Sequence, residues 1–253
     1  MTEPRTEAAD GTDAAEYGNG IGRFHDLLYP FHDLPSAVAR VASVTEPPAR
    51  VVDFGAGSGR LALALAERGY RVDAVDNSPA MLDQLRARDE KGLVGRHVAD
   101  IATADVGTGF DLCLITNSTL FMLPSQDAQR AALGRAAAHL GDGGHLLVEV
   151  YEPSFFHRLE GAHTQSSVLA DGTLLVDSMT NDPVEQLLVL LRTFVSDGRV
   201  RTFPEVSRYT WPAELDLMAA TEGFAKVARW SDWEGSPFTR GAARHVSLYR
   251  KTG

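Results

Sequence analysis

The chain contains 253 residues, enough for one sizeable α/β core with additions. A formal net charge of -10, from 34 acidic and 24 basic residues, disfavours a nucleic-acid substrate because an acidic surface repels phosphate backbones. The single cysteine, Cys113, excludes a disulfide within the chain, and no apolar stretch approaches the roughly 20 residues that span a bilayer. We therefore expect a cytoplasmic protein, without a signal peptide or a membrane partner.

The chain begins with a polar segment, residues 1–16, that we expect to be disordered. Residues 17–44 then show apolar side chains at helical spacing, which predicts an amphipathic helical segment. The residues that carry this pattern are Phe24, Leu27, Leu28, Phe31 and Leu34. Pro47-Pro48 breaks the chain before the first strand.

Strands and helices alternate over the next hundred residues. We predict strands near 50–54, 71–75, 96–99, 110–116 and 145–150, and helices near 58–69, 78–90 and 125–140. The fourth strand is almost continuously apolar, as expected for a strand that is buried on both faces. Alternation of this kind predicts an α/β fold with a doubly wound parallel sheet.

The alternation ends after residue 151. Residues 165–210 contain four apolar or alternating runs, separated in two places by Asp171-Gly172 and Asp197-Gly198. Asp-Gly is a strong hairpin signal, so we predict an inserted antiparallel sheet. A helix over 212–221 and strands over 224–230 and 244–250 complete the chain.

A glycine-rich turn follows the first strand, in the sequence V-V-D-F-G-A-G-S-G-R. Gly55, Gly57 and Gly59 allow strained dihedral angles and close approach of a ligand to the backbone. The dinucleotide fingerprint G-x-G-x-x-G would place its third glycine where this chain has Arg60, which weakens the prediction of a dinucleotide oxidoreductase. The acidic residue and three glycines instead resemble the first motif of class I S-adenosylmethionine-dependent methyltransferases.

This resemblance covers residues 48–151 closely and 212–250 more loosely. It extends to bacterial natural-product enzymes that methylate amines of amino sugars or peptide N-termini, through N-S-T-L-F after the fourth strand, W-P-A-E-L, and S-P-F-T before the last strand. The resemblance implies a Rossmann-like sheet of seven strands with an antiparallel last strand.

The same resemblance implies a division of the chain into parts. Residues 48–151 and 212–253 would form the cofactor-binding domain, residues 152–211 a sheet that covers the substrate, and residues 17–47 a helical lid. A small-molecule or peptide substrate is expected, and the chain is expected to be a monomer or a homodimer.

Four polar residues each end a predicted parallel strand: Asp53, Asp76, Asp100 and Asn117. Ligands of open parallel sheets bind beyond the carboxyl ends of the strands, so these residues should line one edge. Asp76 follows the glycine turn by roughly twenty residues, where a carboxylate can accept hydrogen bonds from both ribose hydroxyls.

The resemblance assigns the other cofactor contacts. The turn of Gly55, Ala56, Gly57 and Gly59 would face the methionine part of S-adenosylmethionine, and Asp53 would hold its ammonium group. The resemblance also implies that Asn77 and Met81 lie beside the adenosine and that Asp100 and Ile101 contact the adenine. Asn117 would lie at the sulfonium. Tyr17 would contact the carboxylate of the cofactor, with Tyr29 as the alternative.

Methyl transfer to an amine needs orientation and exclusion of water more than it needs side-chain chemistry. The candidates for an acceptor or orienting group are Glu149, Tyr151 and His157, with Glu152 and Tyr209 as weaker ones. The candidates for substrate binding are Tyr151, Tyr209, Trp233 and Phe238. We expect no metal, because no H-E-x-x-H or cysteine–histidine spacing occurs.

Alternatives remain open at this point. A hydroxyl nucleophile would make the protein an O-methyltransferase, which would favour a base such as His157 or His163. A binding module that retains the cofactor fold without turnover is the other alternative.

Overall fold

The structure, a computed structural model, describes residues 14–253, without the side chains of residues 14–17 and 23. Seven α-helices and one 3-10 helix, Thr119–Met122, are described in this part of the chain. The α-helices are α1 Ala14–Leu28, α2 Leu34–Ala42, α3 Arg60–Ala66, α4 Pro79–Arg88, α5 Gln126–His139, α6 Ser154–His157 and α7 Pro212–Thr221. The strands are β1 Arg50–Phe54, β2 Arg71–Asp76, β3 Val94–Val98, β4 Phe110–Ile115, β5 Leu140–Tyr151, β6 His163–Val168, β7 Leu174–Asp182, β8 Leu187–Ser196, β9 Arg199–Arg208, β10 Phe224–Trp230 and β11 Arg244–Lys251.

The main sheet has seven strands in the order β10-β11-β5-β4-β1-β2-β3. Strands β1 to β5 pair in parallel, and β11 pairs antiparallel with both β5 and β10. The predicted doubly wound sheet with an antiparallel last strand is therefore confirmed. Its order reverses between β1 and β4, and this is where an open parallel sheet leaves a crevice for a ligand.

The core lies on both faces of this sheet. Alternate residues of β4 point in opposite directions, so Leu112 and Leu114 pack with α2, α3 and α4, and Cys113 and Ile115 pack with α5 and α7. All four side chains are fully buried. The continuous apolar run of β4 thus follows from its central position.

The inserted sheet is an antiparallel meander in the order β6-β7-β8-β9. Its inner face packs against α1 through Leu175 and Phe194, and the Phe194 ring stacks on Phe24 at 4.1 Å. This contact closes the insertion over the carboxyl edge of the main sheet. The predicted inserted sheet is confirmed, and both predicted Asp-Gly turns join its strands.

Three local features differ from the sequence predictions. The helical segment predicted over 17–44 is divided into two helices, because the residue before a proline disfavours helical angles and Pro30 follows Tyr29 directly. Residues 14–16, expected to be disordered, belong to α1, while residues 1–13 lie outside the described part. The fifth strand, predicted near 145–150, begins earlier, at Leu140, and residues 141–144 form a bulge within it, since Phe110 pairs with Leu140 and Leu112 with His145.

Candidate active site

The glycine turn between β1 and α3 is shaped by backbone angles and by packing. Gly55, Gly57 and Gly59 have φ values of 74°, 56° and 75°, all in the left-handed region. A Cβ on Gly59 would lie 2.3 Å from Leu85 Cδ1, and one on Gly55 would lie 2.1 Å from Thr119 Cγ2. A Cβ on Gly57 would meet nothing closer than His25, at 3.7 Å. Protein side chains therefore fill the space beside two of the glycines, whereas a Cβ on Gly57 would make only an ordinary contact with His25 of α1.

Asp76 ties the end of β2 to this turn. Its Oδ2 accepts a hydrogen bond from the Gly57 N–H at 2.8 Å, and its Oδ1 accepts one from the Ser78 N–H at 2.9 Å. Each carboxylate oxygen has a second lone pair, so both can still accept from a ligand. Burial raises the pKa of Asp76, and the two backbone N–H groups oppose that rise. This arrangement fits a vicinal diol such as the one that a ribose presents.

Asp53 is a buried carboxyl at the end of β1, with 1% of its surface exposed. Its Oδ1 has no hydrogen-bond partner among the described residues. Burial, followed by the charge of Asp76, raises the pKa of Asp53 to about 7. An orphaned buried carboxyl of this kind is suited to a cationic ligand group, which would both ionise it and pair with it.

Glu149 holds the ends of β4 and β5 in place. Its Oε2 accepts from the Asn117 N–H at 2.8 Å, and its Oε1 accepts from Arg244 Nη1 at 3.2 Å. Asn117 has a φ of 50°, a strained angle for a residue with a side chain, and the Glu149 contact stabilises it. Because the carboxylate is paired with the Arg244 guanidinium and holds the Asn117 N–H, the geometry favours a positioning role for Glu149 over the predicted role as a proton acceptor.

Two cavities meet at this edge of the sheet. The first, the turn cavity, has a volume of about 370 Å³ and lies between the glycine turn and the segment that joins α1 to α2. The second, the main cavity, has a volume of about 330 Å³ and runs from the ends of β2 and β3 to the inner face of the inserted sheet. Residues that line both are His25, Tyr29, Gly55, Asn117 and Thr119. A ligand can therefore extend from one cavity into the other.

The structure brings most of the predicted cofactor residues to these walls. Those that line the main cavity are Asp76, Asn77, Met81, Asp100, Ile101 and Asn117. Those that line the turn cavity are Asp53, Gly55, Ala56 and Asn117, with Glu149 beside them. The side chain of Tyr17 lies outside the described part, so its predicted contact stays a prediction.

Four of the predicted catalytic and substrate residues lie elsewhere. His157 Nδ1 is 2.9 Å from Tyr209 Oη, and neither residue lines either cavity. Trp233 is 1% exposed and packs in the core with α2, whose Arg40 donates to the Trp233 carbonyl. Phe238 lines a third cleft, which adjoins the main cavity through the shared residues Tyr151 and Phe156. The loop between β10 and β11 places Trp233 in the core and Phe238 in this cleft, so neither side chain lines the two cavities.

Tyr151 is the predicted catalytic candidate that lines the main cavity. Its ring packs edge-on against Phe121 at 4.8 Å and against Phe156 at 4.9 Å. Three aromatic rings thus surround this part of the cavity. Aromatic faces attract cations, including protonated amines.

Several wall residues were missed by the sequence analysis. The inserted sheet contributes Leu188, Leu190, Arg192, Glu205 and Ser207 to the main cavity. Their alternation within β8 and β9 predicts which residues share a face, but does not predict which face is turned inward. The end of α1 contributes His25, which no motif singles out, whereas Tyr29, directly after α1, is the predicted alternative to Tyr17 and lines both cavities.

Asp26 anchors α1 over the glycine turn. Its carboxylate contacts His25 Nδ1 at 3.2 Å, accepts from Ser58 Oγ at 3.0 Å, and pairs with Arg88 and Arg60. The His25 hydrogen bond, with further contributions from Arg88 and Arg60, holds the pKa of Asp26 well below its usual range, although partial burial opposes this. The predicted lid helix is therefore fastened to the residues that form the turn.

No group of three or more His, Cys, Asp or Glu side chains among residues 14–253 is placed to hold a metal ion. No helix in the same part of the chain is long and apolar enough to cross a membrane.

Comparison with known proteins identifies similar chains. The family model described as a methyltransferase domain matches residues 51–144. The cypemycin N-terminal methyltransferase of Streptomyces sp is 28% identical over 190 residues, which cover 75% of this chain and 78% of that protein. The CcbJ methyltransferase of Streptomyces caelestis has a TM-score of 0.89 and 31% identity, over 96% of this chain and 100% of that one.

A third protein is similar at a lower sequence identity, and this similarity supports the fold but not the function. CalS10, an amino pentose methyltransferase of Micromonospora echinaspora whose structure contains S-adenosylmethionine, has a TM-score of 0.69 and 22% identity. The match covers 91% of this chain and 94% of that one.

Proposed function

The chain belongs to the class I S-adenosylmethionine-dependent methyltransferases, and we propose that it methylates an amine of a small natural product or peptide. The names of similar proteins support this proposal, since one methylates the N-terminus of cypemycin and another an amino pentose. S-adenosylmethionine is the cofactor of the family.

The residues at the sheet edge fit this cofactor. In our proposal Asp76 accepts from the ribose hydroxyls, Asp100 and Ile101 contact the adenine, and the orphaned Asp53 carboxyl balances the ammonium group. The bound cofactor supplies a methyl carbon on a sulfonium, which is open to in-line displacement. Asn117, held by Glu149, lies where the two cavities meet and would face the reacting end.

The observation that carries the proposal for an amine is the charge of the inserted sheet. Glu205 and Arg192 line the main cavity as an ion pair, with Arg192 Nε 3.1 Å from Glu205 Oε2. Asp177 lies opposite Arg192 in the strand register and adds negative charge near this wall, although it does not line the cavity. An amine is cationic in water at neutral pH, and a wall with surplus negative charge attracts it.

The amine must lose a proton before it attacks. A free α-amino group has a pKa of about 7.7–8.0, so a small shift is sufficient. In our proposal the aromatic rings of Phe121, Tyr151 and Phe156 exclude water and orient the nitrogen, and the ammonium loses its proton to solvent before it attacks.

One observation favours O-methylation as a second candidate. His25 lines both cavities and is paired with Asp26, an arrangement that can serve as a base for a hydroxyl. His25 also packs over Gly57, on the cofactor side of the site. A contact with the cofactor is the role that this position supports better.

The test is product analysis after incubation with unlabelled S-adenosylmethionine. The protein is incubated with a panel of amines and a matched panel of alcohols, and the products are weighed by mass spectrometry. We expect a gain of about 14 or 28 mass units, one or two methyl groups, in the amine panel alone. Methylation confined to the alcohols would contradict the proposal, and binding of cofactor with no product would support the binding-module alternative.

A further inference from the structure

The far wall of the main cavity contains polar groups that the methyl transfer itself does not use. Ser207, on β9, lines the cavity and is 2% exposed, and its Oγ has no hydrogen-bond partner among the described residues. The Tyr151 hydroxyl, at the end of β5, is also buried and without such a partner. A buried hydroxyl without a partner loses its hydrogen bonds to water, so a pair of them on a cavity wall indicates a ligand group that restores them.

These two hydroxyls face each other. Burial raises the pKa of Tyr151, and the neighbouring Ser207 hydroxyl opposes the rise, although the pair does not reach hydrogen-bond geometry. A small polar group that sits against both oxygens would satisfy them together.

Glu205 makes this wall of the cavity prefer hydrogen-bond donors to anions. It lies two residues before Ser207 on the same strand, so both side chains point to the same face of the inserted sheet. Its Oε2 accepts a hydrogen bond from Arg192 Nε. Glu205 is 9% exposed, so its carboxylate is largely shielded from solvent. A carboxylate accepts hydrogen bonds and repels anions, whereas hydroxyls can donate or accept. The combination selects a donor over an anion.

We propose that Tyr151, Ser207 and Glu205 form a subsite for a hydrogen-bond-donating group of the acceptor, a hydroxyl or a second ammonium, distinct from the nitrogen that is methylated. This inference rests on the proposed N-methylation and specifies which amines the site takes. The adjoining Leu188 and Leu190 contribute apolar surface, so the preferred acceptor combines an amine, a donor group and a hydrocarbon part. An acceptor with a carboxylate in the position of the donor is rejected.

Three matched amines test this subsite. Leucinol has an amine and a hydroxymethyl group, isopentylamine lacks the hydroxymethyl group, and leucine has a carboxylate in its place. Turnover is measured with S-adenosylmethionine, and binding is measured by calorimetry with S-adenosylhomocysteine present, so that a probe without turnover is still informative. We expect leucinol to exceed isopentylamine by about 5- to 30-fold, in line with one or two hydrogen bonds, and leucine to be the poorest.

Single substitutions test whether Ser207 and Glu205 cause the preference for leucinol over isopentylamine and leucine. Ser207→Ala should remove most of the advantage of leucinol and leave isopentylamine unchanged, and Glu205→Gln should improve leucine. Thr202→Ala is the matched control, since Thr202 is on β9 but its hydroxyl contacts Thr193 on the exposed side of the sheet. It should change none of the three probes.

The outcomes separate this inference from the proposed function. If leucinol and isopentylamine behave alike in the native protein, or if no probe binds at the highest soluble concentration, the subsite is wrong. If leucinol is preferred through Ser207 but is methylated on oxygen, the subsite is supported and N-methylation fails. If isopentylamine is methylated on nitrogen and Ser207→Ala has no effect on any probe, N-methylation is supported and the subsite fails.

Discussion

The Gly57 N–H donates a hydrogen bond to Asp76 Oδ2 at 2.8 Å, and this contact makes the glycine turn and the acid at the end of β2 one unit. The turn is thereby fixed in position before a ligand arrives. A site that is organised in advance binds without first losing conformational freedom, which favours affinity.

The first prediction concerns Asp76. Asp76→Asn should weaken binding of S-adenosylmethionine by about 10- to 100-fold, because a hydrogen bond to a charged group contributes roughly 1.5–3 kcal/mol. Isothermal calorimetry measures the change. Asp73→Asn is the matched control, since Asp73 is on the same strand but contacts His97. Equal affinities for the native protein and Asp76→Asn would remove Asp76 from the cofactor site.

The second prediction is a pH dependence of cofactor affinity. Burial, and then the charge of Asp76, raises the pKa of Asp53 to about 7, so the carboxyl is protonated in the free protein in acid solution. A cationic ammonium group needs it ionised, so binding should release a proton, and affinity should rise as pH increases from about 5.5 to 7.5. Calorimetry across this range measures the slope. Asp53→Asn should flatten it, and an identical slope in the variant would assign the effect to another group.

The third prediction concerns the stability of the free protein. Below about pH 4, Asp53 is protonated in both the folded and the unfolded chain and has no effect on their balance. Between about pH 4 and 7 the unfolded chain ionises this carboxyl first, so its burial lowers the free energy of unfolding as pH rises. Asp53→Asn should therefore be more stable than the native protein at pH 8, by about 1–4 kcal/mol, and the difference should shrink towards pH 4. Urea unfolding at both pH values checks this, and a difference that grows towards acid would show that the sign is wrong.

The fourth prediction distinguishes the glycines of the turn. Both Gly59 and Gly172 have a positive φ, so alanine is strained at either position. Gly59→Ala also places a methyl group against Leu85, whereas Gly172→Ala has open space around the new methyl group. We expect Gly59→Ala to reduce the free energy of unfolding by about 1–3 kcal/mol more than Gly172→Ala. Thermal and urea denaturation measure both variants. Similar losses would indicate that Leu85 moves aside easily.

Gly57→Ala completes this comparison, because a Cβ there meets no atom within 3.4 Å. Its loss of stability should resemble that of Gly172→Ala, while its affinity for S-adenosylmethionine should fall. A loss of stability without any loss of affinity would place the cofactor away from Gly57.

The sequence predicted the sheet and its acidic edge because the relevant signals are local. Each parallel strand is a short apolar run that ends in a polar residue, and the carboxyl ends of such strands share one edge. That reasoning placed Asp53, Asp76, Asp100 and Asn117 together without any structure. The break at Pro30 was missed because the apolar spacing continues across it through Phe31 and Leu34.

The acceptor side was harder to predict because it depends on packing between distant segments. Because side chains alternate between the two faces of a strand, the sequence predicts that Glu205 and Ser207 share a face of the inserted sheet. Which face lines the cavity depends on the packing of that sheet against α1, which the sequence does not show. Trp233 and Phe238 show the converse error. Both were predicted to bind the substrate. The loop between β10 and β11 instead places Trp233 in the core and Phe238 in a third cleft.

The central claim is that the methyl group goes to nitrogen, and leucinol contains both competing nucleophiles in one molecule. The direct measurement is carbon NMR of the product formed from leucinol and S-adenosylmethionine with an isotope-labelled methyl group. We predict that the labelled signal appears as an N-methyl group. A labelled O-methyl group, or an unlabelled acceptor in the presence of bound cofactor, would contradict the claim.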